Sequence, residues 1–161
     1  MTRVAPARVH VAQVNVARLR EPLDHVSSQA FVAGLAPINA LADRSPGFVW
    51  RLQGEGGDAT SLRVFDDEMV IVNMSVWQSV DSLRAFVFSS DHAAYLRRRS
   101  EWFERLEDAS TALWWVVPGT TPTVDEATSR LEMVRTSGST SAAFTLRDVQ
   151  EPVVTSGAEA P

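Results

Sequence analysis

Residues 89–106, SSDHAAYLRRRSEWFERL, hold most of the side chains in this chain that could do chemistry. The segment is predicted to form one helix. At about 100° per residue, one broad face of that helix carries His92, Tyr95, Arg99 and Phe103. The unperturbed pKa of histidine is ~6.5, so His92 is the best candidate for a general acid or base, with Tyr95 one turn away. Arg99 is a candidate anchor for a carboxylate or phenolate. The alternatives are a histidine that only starts a helix and an arginine that bonds helix-end carbonyls.

Two asparagines are candidates for holding a negatively charged oxygen. Asn15 lies in the predicted strand at residues 9–19, and Asn73 lies in the predicted strand at residues 69–77. Asparagine is disfavoured in strands, so its presence in both asks for a reason. Amide donors fixed on central strands can stabilise negative charge that develops on a phenolate or carbonyl oxygen. The alternative is that the two amides bond one another or water in an interface between sheets.

Tryptophans on the predicted strands offer flat apolar surface. Trp50 and Trp77 are candidates for contact with an aromatic ligand, as are Tyr95 and Phe103 on the helix. The alternative for strand tryptophans is packing in the core or in a dimer contact.

Several kinds of chemistry are excluded by composition and spacing. The chain has no cysteine and all 15 of its basic residues are arginine, which excludes thiolate chemistry and a lysine Schiff base. His10, His25 and His92 show no HxxxH or HxH spacing, so no zinc site is expected. Haem needs only one axial histidine, and His92 remains a candidate for that role. No GxSxG or GxGxxG motif occurs.

The charge and hydropathy of the chain indicate which classes of partner and which location to expect. A net charge of −5 argues against nucleic acid or an anionic membrane surface as a main partner. No apolar run approaches the ~20 residues that span a bilayer, and residues 1–10 lack the apolar region of a signal peptide. We therefore expect a cytoplasmic protein. The 161 residues suit one domain, at residues 9–149, between a flexible N-terminus at 1–8 and a flexible tail at 150–161.

The order of predicted elements is β-α-β-β-α-β, followed by a helix capped by Thr123. This order is typical of a ferredoxin-like α+β fold, in which helices cover one face of an antiparallel sheet. Alternation along the first and third strands gives one aliphatic face and one mixed face of polar and large apolar side chains. We expect the aliphatic face to meet the helices. The mixed face would then pack against a second copy, and the homodimer would form an α/β barrel.

Three segments of the chain carry a resemblance to a known family. The AQVNVAR, NMSVW and H-x6-R-x2-WF segments resemble the domain-of-unknown-function family numbered 3291, within the dimeric α/β-barrel superfamily. The resemblance covers residues 9–147. Related families include antibiotic-biosynthesis monooxygenases, which oxidise polycyclic phenols without metal or flavin. Others, such as chlorite dismutases and aldoxime dehydratases, use haem.

The resemblance implies a small-molecule enzyme similar to cofactor-independent monooxygenases, acting on an aromatic or polyketide-like substrate. His92 would remove a proton, and Asn15 and Asn73 would hold the anion for reaction with oxygen. Two alternatives stay open at this point. In the first, the chain is a haem enzyme with His92 as axial ligand and Arg99 near a propionate or distal site. In the second, the same pocket binds a ligand without reacting.

Overall fold

The computed structural model describes residues 8–54, 57–58, 60 and 65–153. Its strands and helices occur in the order β1 (His10–Arg18), α1 (Gln29–Asp43), β2 (Phe48–Arg51), β3 (Val70–Trp77), α2 (Val80–Ser89), α3 (His92–Arg97), α4 (Arg99–Trp102), β4 (Thr111–Val116) and α5 (Val124–Ser137), with one turn of 3-10 helix at Val26–Ser28. All strand pairs are antiparallel, and the sheet order is β2-β3-β1-β4. The predicted ferredoxin-like α+β fold is confirmed.

Strand β1 is central and aligns several of the predicted site residues. It pairs with β3 on one side and β4 on the other. Asn15 therefore lies opposite Asn73 in one neighbouring strand and opposite Thr111 in the other. Paired residues share a face of the sheet, so the two predicted asparagines lie on the same face.

The aliphatic face of the sheet is covered by α5. Ala127, Leu131 and Val134 recur at helical spacing and pack on the buried aliphatic residues of β1, β3 and β4. A helix thus meets this face as expected, but it is the last helix of the chain. The turn at Pro118-Gly119, where Gly119 has φ +88°, lies between β4 and α5.

Part of the mixed face is covered by the chain's own α1 and α2, which corrects the expectation that the whole face lies open for a second copy. Ala42 of α1 and Leu83 of α2 pack with buried Val11, Trp77 and Leu113 of the sheet. These three sheet residues are apolar, so this part of the mixed face packs well against the helices. The homodimer stays a prediction, and an uncovered face no longer supports it.

The predicted single helix at residues 89–106 is interrupted. Helices α3 and α4 are separated at Arg98 (φ −92°, ψ 3°), and α4 ends at Trp102. Phe103 is extended, and its backbone forms a bridge with Leu19. The chain beyond Trp102 thus joins the end of β1 instead of completing another helical turn. This local pairing satisfies backbone groups that a helix end would leave free.

The structure describes the ends of the domain only in part. After α5, Phe144 forms an isolated bridge with Leu113 of β4. The expected flexible segments lie outside the described residues except for Arg8 and residues 150–153. Within the latter, Gln150 accepts a hydrogen bond through its backbone carbonyl from Trp115 Nε1 at 2.9 Å. No helix in the described part of the chain is long and apolar enough to cross a membrane.

Candidate functional site

A band of neutral polar side chains crosses the middle of the mixed face. We call it the polar strip, and its members are Gln13, Asn15, Asn73, Ser75 and Thr111. One end of the mixed face beside it is fully buried, at Val11 and Trp77, and Leu113, which lies opposite Gln13, is fully buried as well. Beyond the other end, Leu19 is also buried. Between these ends Gln13, Asn15 and Thr111 are half-buried and Asn73 is exposed. The strip is therefore the partly solvent-accessible region between two buried apolar parts of the mixed face, and we call this region the groove.

Gln13 organises three of its neighbours by hydrogen bonding. Its Nε2 donates to Asn73 Oδ1 at 3.0 Å and to Ser75 Oγ at 2.9 Å. Ser75 Oγ also accepts from Trp77 Nε1 at 2.8 Å. Both lone pairs of the Ser75 hydroxyl are thus occupied, so its own hydrogen is free to donate. Both hydrogens on Asn73 Nδ2 likewise have no acceptor among the described residues.

Asn15 forms a separate pair within the strip. Its Nδ2 donates to Thr111 Oγ1 at 2.9 Å. Its side-chain carbonyl oxygen has no donor among the described residues. The strip therefore brings Asn15 and Asn73 onto one face as predicted, but the two amides do not bond each other. They offer opposite groups: donors at Asn73 and an acceptor at Asn15.

His92 lies at the start of α3 and is half-buried. Its Nδ1 is 3.2 Å from the carbonyl oxygen of Val87. Because a carbonyl only accepts, Nδ1 carries the hydrogen and Nε2 keeps a lone pair in the neutral ring. Burial lowers the pKa of His92 below 6.5, and the bond to Val87 opposes this shift only in part. The neutral ring with a free Nε2 is the form that a general base needs.

A row of aromatic rings connects His92 to the polar strip. The His92 ring lies 5.0 Å from the Phe86 ring, and Phe86 stacks on Trp77 at 5.1 Å. Trp77 in turn bonds Ser75 of the strip. Trp77 and His92 are thus on the same side of the sheet, although Phe86 lies between them. Phe86 was not predicted as a site residue, because its position between two rings depends on tertiary packing.

Tyr95 and Phe103 belong to a second aromatic cluster with Phe31 and Trp102. Phe31 lies 5.0 Å from Phe103 and 5.7 Å from Trp102, and Tyr95 lies 5.9 Å from Trp102. A Cβ built on buried Gly34 of α1 would lie 2.2 Å from Tyr95 Cε1. The ring of Tyr95 therefore rests directly on the backbone of α1, which is a packing arrangement.

Trp50 and Arg99 are not brought together with the strip. Trp50 pairs with Val76 and packs with the cluster under α5, on the opposite face of the sheet. Arg99 is exposed, and its Nη1 donates to the Leu96 carbonyl oxygen at 3.0 Å. This is the helix-end bond considered as its alternative. A one-residue register irregularity in β2 between Phe48 and Trp50 accompanies the placement of Trp50.

The residues that the sequence did not single out as a site are Gln13, Ser75 and Thr111. Alternation along β1 and β3 places Gln13 and Ser75 on the mixed face with the asparagines. Thr111 needs the β1–β4 register as well, which the sequence does not provide. A strand-by-strand count of polar residues would therefore have found two of the three.

A metal ion or a haem would need suitable ligands among the described residues. They contain no group of three or more His, Asp or Glu side chains that could hold a metal ion. For haem, His92 has a suitable free Nε2, but Arg99, expected beside a propionate or on the distal side, is exposed and bonded to Leu96. The position of Arg99 thus gives the haem alternative no support.

Comparison with known proteins places the chain in a family. Residues 10–158 match Domain of unknown function (DUF3291). The chain belongs to this family. No curated protein matches the chain.

Solved structures give partial matches at low identity. SnoaB, a cofactor-independent oxygenase from Streptomyces nogalater, is 18% identical with a TM-score of 0.46, covering 70% of this chain and 96% of that chain. PA3566 from Pseudomonas aeruginosa is 9% identical with a TM-score of 0.46, covering 72% and 100%. A monooxygenase from ActVA-Orf6 of Streptomyces coelicolor, in complex with Nanaomycin D, is 16% identical with a TM-score of 0.43, covering 72% and 93%.

Proposed function

We propose that the chain is a small-molecule enzyme that oxidises an aromatic, polyketide-like compound with molecular oxygen and without a cofactor. The observation that carries this proposal is the hydrogen-bond pattern of the polar strip. Asn73 Nδ2 and the Ser75 hydroxyl have hydrogens to donate, and their acceptor atoms are already occupied by Gln13 and Trp77. Such donors stabilise an oxygen on which negative charge develops.

The lack of charge on the strip supports a neutral substrate that becomes an anion during the reaction. Arg51 is opposite Ser75 in the sheet, but it bonds both carboxylate oxygens of Asp43 at 2.7 and 3.3 Å. A permanently anionic substrate would therefore meet no free cation on the strip itself. Neutral amide and hydroxyl donors suit an oxygen that is uncharged on binding and gains charge later.

The proposed base is His92. Its neutral ring has a free lone pair on Nε2, and its lowered pKa keeps that form abundant at neutral pH. Because Phe86 and Trp77 lie between His92 and Ser75, the substrate must be long enough to reach past two rings. A compound of several fused rings has that length, and the half-buried ring of Phe86 offers it one aromatic surface to pack on.

Anthrone, a three-ring aromatic ketone with an acidic CH₂ group, is a substrate of the proposed class. His92 takes one proton from that CH₂, and the electron pair moves to the carbonyl oxygen, held by Asn73 and Ser75. Oxygen then adds at the former CH₂ carbon and accepts the electrons. The peroxide that forms loses water, giving anthraquinone. One anthrone and one O₂ thus give one anthraquinone and one water.

The test is oxygen uptake and anthraquinone formation with the purified protein and anthrone. Asn73→Leu is expected to lower turnover by roughly tenfold or more, because one preorganised donor pair is lost. His92→Ala is expected to remove the rise of activity with pH through the pKa of that ring, which lies below 6.5. Asn39→Leu on α1 and His25→Ala before α1 are the matched controls and should retain activity.

The outcomes separate this proposal from its alternatives. Binding of anthrone without oxygen uptake would favour a non-catalytic ligand-binding protein. A visible Soret band in the purified protein would favour haem, in spite of the position of Arg99. Unchanged turnover in both Asn73→Leu and His92→Ala would refute the assignment of the site.

A further inference from the structure

The side-chain amide of Gln13 determines which atoms of the polar strip face a ligand. Gln13 lies opposite Ser75 and diagonal to Asn73 on the neighbouring strand. It gives both hydrogens of Nε2 to these neighbours, at 2.9 and 3.0 Å. Asn73 therefore has its carbonyl oxygen turned toward Gln13 and its NH₂ turned away. Without this contact the terminal amide of Asn73, which is exposed, could turn about a broad torsion.

Ser75 responds to Gln13 in the same way. It is 8% exposed, and its oxygen accepts from Trp77 Nε1 as well as from Gln13. Indole N–H only donates, so one lone pair of Ser75 is always committed to Trp77. When Gln13 donates to the second lone pair, the Ser75 hydrogen has no acceptor among the described residues. A nearly buried donor without an acceptor is costly, so the site is suited to a ligand that supplies one.

We propose that Gln13 is a positioning residue that makes Asn73 and Ser75 a paired donor site for a ligand oxygen with negative charge. This inference rests on the proposed function, because it assumes that the ligand lies in the groove of the polar strip. It adds a specificity rule. The groove prefers a phenolate or enolate oxygen over the same oxygen when protonated, and Gln13 sets that preference without touching the ligand.

Hydrogen bonds in the opposite direction would give the groove the opposite preference, for a protonated ligand oxygen. If Gln13 Oε1 accepted from Ser75 and from Asn73 Nδ2, then Asn73 Oδ1 would face the groove and would prefer a protonated ligand. Gln13→Glu forces this arrangement, since an ionised carboxylate only accepts. Glutamate has nearly the same shape as glutamine but adds a negative charge, so the change combines reversed hydrogen bonds with repulsion of an anionic ligand oxygen. Gln13→Leu removes the contact without imposing a direction.

The probe is 4-nitro-1-naphthol, a two-ring phenol whose ionised form absorbs visible light. Titration of its absorbance with and without saturating protein gives the ratio of affinities for the phenolate and the phenol. The wild-type protein is expected to favour the phenolate by roughly tenfold or more, as for hydrogen bonds to a charged acceptor. Gln13→Leu should reduce that ratio severalfold, and Gln13→Glu should bring it below one. Gln29→Glu, the same change at an exposed position of α1, should leave the ratio unchanged.

Each result has one meaning once circular dichroism has shown that the variants fold. A wild-type ratio below one would overturn the inference, since Asn73 and Ser75 would then not present their donors to the ligand. A ratio above one that is equal in the wild-type protein and the folded Gln13 variants would also overturn it, while leaving the groove as the binding site. If Gln13→Glu does not fold, an unchanged ratio in Gln13→Leu would by itself overturn the inference. Failure of the wild-type protein to bind the probe, with anthrone turnover also absent, would instead count against the proposed function.

Discussion

Replacing Gly34 by alanine tests whether Tyr95 is held by α1. Gly34 is buried within this helix, and the added Cβ would lie 2.2 Å from Tyr95 Cε1, 2.5 Å from Cζ and 2.7 Å from the hydroxyl oxygen. Carbon atoms pack at about 3.5–4.0 Å, so the ring would have to move by more than 1 Å. Its neighbour Trp102, at 5.9 Å between ring centroids, limits where it can go.

Two opposing effects decide the size of the change. Overpacking of this kind costs about 1–3 kcal/mol. Alanine in a helix interior is more favourable than glycine by about 1 kcal/mol. The free energy of unfolding of Gly34→Ala should therefore fall by about 0–2 kcal/mol. A double-mutant cycle separates the effects, because in a Tyr95→Ala background only the helical gain remains. There Gly34→Ala should stabilise the protein by up to about 1 kcal/mol.

The assay is equilibrium unfolding in urea, followed by circular dichroism, for the wild-type protein, the two single variants and the double variant. We expect a coupling free energy of about 1–3 kcal/mol between the two positions. A coupling within about 0.5 kcal/mol of zero would refute the contact. If the coupling is confirmed, Tyr95 packs α3 against α1, and its predicted contact with substrate would need the ring to leave that place.

Three further predictions concern other parts of the molecule. Trp77 and Trp114 are both fully buried, but only Trp77 Nε1 has a hydrogen-bond partner; Trp77→Phe should therefore lower the free energy of unfolding by about 1–3 kcal/mol more than Trp114→Phe, and equal losses in urea would contradict this. Burial lowers the pKa of His92, so the unfolded state takes up more protons as pH falls through 6.5; the free energy of unfolding should decrease over that range, with the decrease smaller in His92→Gln. The homodimer implied by the family resemblance should give twice the 17.7 kDa chain mass in size-exclusion chromatography with light scattering, and a monomer at micromolar concentration would refute the barrel.

The strands and the two faces of the sheet could be predicted because alternation is a local property. Valine-rich alternation in β1 and β3 set both strands to within one residue of their observed ends. It also placed Asn15, Asn73 and Trp77 on one face, which the pairing of β1 with β3 confirms. The antiparallel sheet then followed from the β-α-β-β-α-β order of elements.

The helix positions could not be predicted in the same way because they depend on competition between surfaces. Both faces of the sheet have enough apolar area to bury a helix, and only the complete chain decides which helix covers which face. Likewise the 89–106 segment has helical periodicity throughout, but Phe103 gains more by pairing with Leu19 beside the end of β1. Arg99 then falls in the short α4 and points its guanidinium at Leu96. Each of these outcomes rests on contacts distant in sequence.

Residue types alone could not predict which atoms of the candidate site donate hydrogen bonds to a ligand and which accept them. Gln13 and Asn73 each carry a donor and an acceptor, so the same residues permit two opposite arrangements. Trp77 removes only part of this ambiguity, because it commits one lone pair of Ser75 and leaves the hydroxyl hydrogen to go either way. A ligand with an acceptor oxygen stabilises the arrangement in the structure, and by the same coupling that arrangement strengthens its binding. Gln13→Glu reverses these hydrogen bonds but also adds a negative charge near the ligand, whereas Gln13→Leu removes the contact without adding charge. The loss of phenolate preference in Gln13→Leu therefore measures how much affinity depends on the orientation that Gln13 sets.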